Sequence, residues 1–172
     1  HAIRYSFNII MKQVSILFFT LFLSVTNIAA QQTTIEQAFC KQAVSNYNHL
    51  KKVILDGDFY RLVSPYETNH TAVMHVAENR DKAVVFAYDI HPRFKEKYYP
   101  VRLQGLNPMT KYRIEEINLM PGVTSKLAEN GKIYSGDYLM KVGIDAFTAD
   151  RLNSKVIELT AVYLKILVLK IV

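Results

Sequence analysis

The sequence predicts a mainly β fold, an antiparallel β-sandwich preceded by one α-helix. Over about residues 35–55 apolar side chains recur every three or four positions, which is the period of a helix with one apolar face. From Phe59 onward the pattern changes to alternation, with turn signals at short intervals, which is typical of antiparallel sandwiches. The 172 residues, half of them hydrophobic, are enough for one domain with its own core.

The first thirty residues have the pattern of an export signal rather than of a folded element. Met11-Lys12 gives a short positive start, Val14 to Val25 is an apolar run, and Ile28-Ala29-Ala30 ends it with small residues. We predict a signal peptide over residues 11–30, cleaved after Ala30, and hence a periplasmic or secreted protein. Residues 1–10 are interpreted as translated upstream sequence. The run is shorter than the ~20 apolar residues of a membrane span, so no stable span is expected.

Residues 31–56 are predicted to contain the helix. Thr33 and Glu36 have the spacing of a capping box, and Asp56-Gly57 is expected to end the helix because Gly takes the left-handed conformation at little cost. The apolar stripe needs a partner surface, and we expect it to be partly exposed and to favour self-association. Its members are Ile35, Phe39, Ala43, Tyr47, Leu50 and Ile54.

Residues 57–162 are predicted to form the sandwich. A helical turn capped by Ser135 is expected to run through Met140 and to end at Gly143. The hairpin of residues 71–88 has the strongest signal, because a polar turn separates two alternating runs. Residues 163–172 are an apolar tail, either an added edge strand or out-of-place sequence, with an aggregation liability if exposed. Strands are expected over residues 59–63, 71–77, 83–88, 101–103, 112–117, 132–134 and 155–162.

The charge pattern argues against nucleic-acid binding, and the single cysteine excludes a disulfide within the chain. The formal charge is +6, but Lys and Arg are spread along the chain without a basic run, so nucleic-acid binding is not expected. Cys40 has no partner for a disulfide within the chain and is interpreted as a small hydrophobe packed on the helix.

Six short segments, in this order, resemble one family. The combination is specific and covers about residues 35–160. It resembles the α-galactosidases of glycoside hydrolase family 36 where their catalytic barrel ends and their C-terminal β-sandwich begins. The segments are Phe39-Cys40-Lys41 with Tyr47 and Leu50, Gly57 to Glu67, Ala83 to Tyr88, Leu103 to Pro108, Lys111 to Ile114, and Ser135 to Ile144.

The resemblance implies a hydrolase, a glycosidase of carbohydrate metabolism whose partners are its own catalytic barrel and a galactoside substrate. In the family the catalytic aspartates lie on that barrel, which has no counterpart in these 172 residues. We therefore interpret the chain as a fragment carrying the non-catalytic sandwich and predict that it is inactive alone.

Neither a catalytic pair nor a metal site is predicted from the carboxylates and histidines. A retaining glycosidase needs two carboxylates about 5 Å apart. The carboxylates at turns and element ends are expected to cap or bend the backbone instead. His70, His75 and His91 have no spacing typical of a zinc site, so neither a metal nor a cofactor is expected. The carboxylates are Asp56, Asp58, Glu67, Asp137, Asp145 and Asp150.

Two rival functions stay open at this point. The first is a stand-alone secreted carbohydrate-binding or interaction module, which an exposed aromatic row would favour, and Tyr98-Tyr99 with Phe94 is the candidate row. The second is a small enzyme, for which no convergent catalytic set is found.

Overall fold

The computed structural model describes residues 34–90, 97–147 and 154–163. Of the described residues, 34–42 belong to one compact unit and those from residue 43 onward belong to a second, which contains the sheet. The predictions for the signal peptide (11–30), for Thr33 and for most of the tail (163–172) lie outside the described residues. Within those ranges no helix is both long and apolar enough to cross a membrane.

Helix α1 occupies residues 34–56, which confirms the predicted helix. It ends where the Gly57 N–H donates to the Val53 carbonyl at 3.1 Å. Gly57 is not in the left-handed region, so the expected reason for the glycine is wrong. A Cβ at this position would instead run into the Val53 and Val76 carbonyl oxygens, and glycine is required because the backbones approach so closely.

In the described part of the chain, six strands and one short helix follow α1. Each of the six strands begins and ends within one residue of a predicted strand. Residues 101–103 are the exception, because Val101 forms only an isolated bridge with Ile144 and Leu103 donates its N–H to the Leu139 carbonyl. The elements are β1 (Asp58–Val63), β2 (His70–Val76), β3 (Lys82–Asp89), β4 (Lys111–Glu116), β5 (Ile133–Ser135), α2 (Gly136–Lys141) and β6 (Ser154–Ala161).

The strands form one sheet in the order β1-β2-β3-β6-β4-β5, and every neighbouring pair is antiparallel. The predicted hairpin is confirmed as β2–β3. Strand β6 comes last in the chain and lies in the middle of the sheet, between β3 and β4. The mainly β, antiparallel fold with a leading helix is confirmed.

One face of the sheet is covered by loops and α2, and we call the core between them the loop-side core. Successive residues of a strand point to opposite faces, so β3 sends Val85 to this core while its neighbour Val84 faces the other way. Tyr112 is fully buried here, and its hydroxyl donates to the Arg80 carbonyl and accepts from the Asn107 N–H. The largest fully buried apolar side chains of this core are Met74, Leu103, Ile114, Leu139, Ile144, Ile157 and Leu159.

The opposite face carries the second half of α1, and we call that contact the helix-side core. Leu50 and Val53 of α1 pack on Val84, with Ile54 partly buried beside them. The expectation that Leu50 and Ile54 belong to an exposed stripe is therefore wrong, since the sheet itself is their partner. Tyr47 is exposed, as expected.

The short helix α2 has the predicted cap, whereas Cys40 is not packed as predicted. The Ser135 hydroxyl accepts from the Tyr138 N–H at 3.2 Å, so the expected cap of α2 is confirmed. Val142 is the C-cap and Gly143 follows it with φ 93°. Cys40 is exposed, which contradicts the interpretation of a packed side chain; it lies on an outward position of the helix.

Candidate functional site

Three charged side chains meet between α1 and the sheet, and we call His49, Lys82 and Glu158 the ion cluster. Glu158 lies on β6 and pairs across the sheet with Val84, which places it on the helix-side face. Its Oε1 lies 2.7 Å from His49 Nε2 and 3.3 Å from Lys82 Nζ. The Glu158 side chain is only 11% exposed, whereas that of His49 is 52% exposed.

The role of His49 depends on its tautomer. With the hydrogen on Nε2, the ring donates to Glu158 Oε1 at 2.7 Å. With Nε2 unprotonated, that nitrogen accepts from Lys82 Nζ at 3.2 Å. In either tautomer the Glu158 carboxylate is paired with the Lys82 ammonium at 3.3 Å, which suits it to hold α1 on the sheet and not to attack a substrate.

A cleft of about 690 Å³ opens beside the ion cluster, between the end of α1 and the β2–β3 turn. His49 and Lys82 line it together with three carboxylates, those of Asp56, Glu78 and Asp81. A metal site is not formed there: within the described ranges, no three His, Cys, Asp or Glu side chains are grouped so as to hold an ion.

The carboxylates considered from sequence lie apart along the chain. Asp56 reaches the cleft at the end of α1. Asp58 begins β1 and Asp137 forms an ion pair with Lys141 at 2.8 Å in α2. Glu67 and Asp145 are exposed in loops, and Asp150 lies outside the described residues. The prediction that none of them is catalytic stays a prediction.

The histidines considered for zinc do not converge. His70 and His75 lie on β2 five residues apart, so they point to opposite faces of the sheet. His70 packs against Tyr98 and Phe147 on the loop side, whereas His75 packs against Phe59 and Phe86. His91 lies outside the described residues.

Of the candidate aromatic row, the structure describes Tyr98 and Tyr99, and only Tyr99 is exposed. Tyr98 turns toward the loop-side core, and its hydroxyl donates to the buried Asp89 carboxylate at 2.8 Å. Tyr99 is exposed, and Phe94 lies outside the described residues. A different pair of aromatic rings is stacked at the edge of the sheet, Tyr134 on β5 and Tyr138 on α2.

Sequence reasoning missed the ion cluster and the tyrosine stack. Glu158 carried a usable signal, because it interrupts an otherwise apolar run in the closing strand, and a buried charge needs a partner. His49 and Lys82 are 33 residues apart, and nothing in the local pattern connects them.

Comparisons with known proteins agree with the resemblance. The family model described as Glycosyl hydrolase family 36 C-terminal domain matches residues 70–159. The alpha-galactosidase AgaA of Geobacillus stearothermophilus is 30% identical over 112 residues, which are 65% of this chain and 13% of that protein. Alpha-galactosidase C of Emericella nidulans is 32% identical over 107 residues, 62% of this chain and 12% of that protein.

Solved structures give the same result. A variant of AgaA from Geobacillus stearothermophilus, crystallised in complex with stachyose, superposes with a TM-score of 0.60 at 29% identity. The superposition covers 74% of this chain and 16% of that one. The chain thus spans only about one eighth of the length of the curated relatives it matches, and the part it matches is their C-terminal domain. The chain belongs to the glycosyl hydrolase family 36 C-terminal domain family.

Proposed function

We propose that this chain works as the C-terminal domain of an α-galactosidase, supporting a catalytic barrel that hydrolyses terminal α-galactosides. The observation that carries the proposal is the match of residues 70–159 to the family's C-terminal domain, with the fold of the same region in a solved relative. The domain's part in the reaction is structural: it holds the helix that adjoins the barrel.

Helix α1 supports this role because its second half has two apolar faces. Leu50 and Val53 face the sheet. Val44, Tyr47 and Leu55, which we call the exposed stripe, are 61%, 55% and 72% exposed. At 100° per residue Val44 and Leu55 fall on the side of the helix opposite Leu50 and Val53, whereas Tyr47 lies at the border, beside Leu50. A helix that is apolar on both sides suits a place between two packed bodies.

The occupant that we propose for the exposed stripe is the catalytic barrel of the parent enzyme. The relatives are about eight times longer than the matched region, and the barrel is the part of them that the resemblance places next to α1. Without a barrel, the stripe favours self-association, since burying each large apolar side chain is worth about 1.5–3 kcal/mol.

Co-expression tests this role. A family 36 α-galactosidase truncated before the last helix of its barrel is expected to gain soluble activity when this chain is supplied. The double variant Tyr47→Ser/Leu55→Ser should lose that gain, while Tyr66→Ser/Tyr99→Ser, which changes exposed side chains elsewhere, should keep it. No gain with the unchanged chain, or equal gain with the stripe variant, contradicts the proposal.

The same variants test self-association of the chain alone. Tyr47→Ser/Leu55→Ser should raise the monomer fraction in sedimentation velocity at an unchanged circular dichroism spectrum. A monomeric parent chain would show that the stripe does not cause association.

We also propose that the isolated chain is inactive and that it is exported. An assay with 4-nitrophenyl α-galactoside should show only the buffer rate, and Asp56→Ala, Asp58→Ala, Asp137→Ala and Asp145→Ala should change nothing. Turnover abolished by one of these changes would favour the small-enzyme alternative. Export is tested by N-terminal sequencing of the secreted or periplasmic protein, which should begin at Gln31.

A further inference from the structure

We propose that the stacked pair Tyr134 and Tyr138 is a binding platform for the apolar face of a pyranose sugar, separate from any catalytic site. The two ring centroids are 4.9 Å apart and the ring planes differ by 13°, so the rings are nearly parallel. The proposal goes beyond the proposed function, since it requires neither a barrel nor hydrolysis.

The stack leaves one ring face available. Tyr134 is partly buried and packs against the loop-side core. Tyr138 remains 41% exposed although Tyr134 covers one side of its ring. Since Tyr134 lies against one face of the Tyr138 ring, the platform that we propose is the opposite face of that ring.

The platform is rigid because the backbone beneath Tyr138 is fixed on both sides. Its N–H donates to the Ser135 hydroxyl at 3.2 Å, and its carbonyl accepts from the Val142 N–H at 2.8 Å. The next residue, Leu139, is fully buried. Gly136 lies so close to the Asn107 carbonyl that a Cβ would collide with it, which fixes the start of α2. A ring held in this way is preorganised for a flat ligand.

Polar groups flank the ring on the same helix. Asp137 and Lys141 are paired through Asp137 Oδ1 and Lys141 Nζ at 2.8 Å, and both side chains are half or more exposed. The Asp137 carboxylate can accept a hydrogen bond from a sugar hydroxyl, and the Lys141 ammonium can donate one to a hydroxyl oxygen. An aromatic face with an adjacent donor and acceptor matches a pyranose, which has C–H groups on its face and hydroxyls on its rim.

The chemistry favours a neutral sugar over the other occupants. The charges of Asp137 and Lys141 cancel, which suits a neutral ligand, and a purely apolar partner would desolvate the pair at a cost. A galactopyranose suits the ring well, because its axial hydroxyl leaves several C–H groups together on one face.

Affinity electrophoresis of the full chain tests the proposal. Gels containing galactomannan, which carries α-galactosyl side groups, should retard the chain, and gels without polysaccharide should not. We expect Tyr138→Ala to weaken binding by about tenfold, equivalent to about 1.4 kcal/mol, and Tyr138→Phe to retain it because the ring face remains. Tyr66→Ala is the matched control, since Tyr66 is 94% exposed and is not part of the stack.

A second measurement distinguishes binding of a free sugar from binding that requires the polymer and from contacts between protein molecules. Methyl α-galactopyranoside should give saturation-transfer NMR signals from its ring protons that disappear in Tyr138→Ala. The proposal is overturned if the unchanged chain binds neither probe, or if Tyr138→Ala and Tyr66→Ala behave alike. It is also overturned if Tyr138→Ala changes only the sedimentation coefficient, which would make the stack a contact between protein molecules. Circular dichroism checks that each variant is folded.

Discussion

The loop-side face of the sheet is covered by fully buried apolar side chains, whereas the helix-side face holds α1 through a small apolar core and the ion cluster. Met74, Ile157 and Leu159 are fully buried on the loop side. On the helix side Leu50, Val53 and Val84 are buried, and Glu158 joins His49 to Lys82. Apolar burial without voids stabilises a fold, while hydrogen-bonded charges fix a geometry at little net gain. The loop side therefore carries the stability of the domain, and the helix side sets where α1 lies.

The largest expected effect is on the loop side. Ile157→Ala should lower the free energy of unfolding by about 2–5 kcal/mol, because it leaves a cavity in the central strand β6. Urea unfolding measures the loss. The control is Ile133→Ala, the same change at an exposed position of the edge strand β5, which should cost about 0.5 kcal/mol or less. Equal losses would mean that the loop-side core does not carry the stability.

A direct comparison of the two faces uses neighbouring residues of β3. Val85 and Val84 are both fully buried but face the loop side and the helix side. We expect Val85→Ala to cost about 2 kcal/mol and Val84→Ala about 1 kcal/mol, because α1 can settle into the space on its side. Urea unfolding of both variants measures the two losses in the free energy of unfolding. A larger loss at Val84 would reverse the comparison.

The ion cluster should affect the position of α1 more than global stability. Glu158→Gln keeps the shape and removes the charge that Lys82 needs, which should cost about 1–2 kcal/mol. Amide hydrogen exchange should speed up in residues 46–56 of α1 and not in β2. The control, Asp137→Asn, breaks an exposed pair worth about 0.3–0.5 kcal/mol. Uniformly faster exchange would show that the cluster supports the whole fold.

The same contrast explains what the sequence could predict. The spacing of apolar residues along the chain predicts α1, the strands and the β2–β3 hairpin, because each depends on neighbouring residues. The central place of β6 could not be predicted, since it depends on pairing between distant strands. Residues 101–103 were assigned to a strand wrongly because their partners, Ile144 and Leu139, lie some forty residues away.

The candidate sites were less predictable than the fold. An alternating strand pattern shows that side chains face two sides, but not what covers each side. In the same way, the apolar stripe of α1 does not show that its partner is the sheet, where Leu50 packs on Val84. Tyr134 and Tyr138 stack because β5 leads directly into α2, and the i,i+4 spacing across that junction belongs to neither a strand nor a helix.

The smallest expected effect is a pH dependence that belongs to the helix-side face. Burial lowers the pKa of His75 below its ordinary value of 6.5. The ring lies between Phe59 and Phe86, at centroid distances of 5.2 and 6.1 Å, and its Nδ1 is buried without a hydrogen-bond partner. Burial takes the ring out of water and so penalises its charged form, and the folded chain therefore favours the neutral ring.

The sign follows from proton uptake. Because its pKa is lowered in the folded chain, the unfolded chain binds the proton first as the pH falls below 6.5. Stability is thus unaffected by His75 above that pH and declines as the pH falls toward the lowered folded value. Replacing His75→Phe should remove this part of the decline when urea midpoints at about pH 7.5 and about pH 5.5 are compared. It should also raise stability slightly at the higher pH, since the unpartnered Nδ1 is gone. The other histidines contribute equally to both proteins and cancel in the difference. If the variant loses as much stability on acidification as the parent chain, His75 is not the residue that titrates.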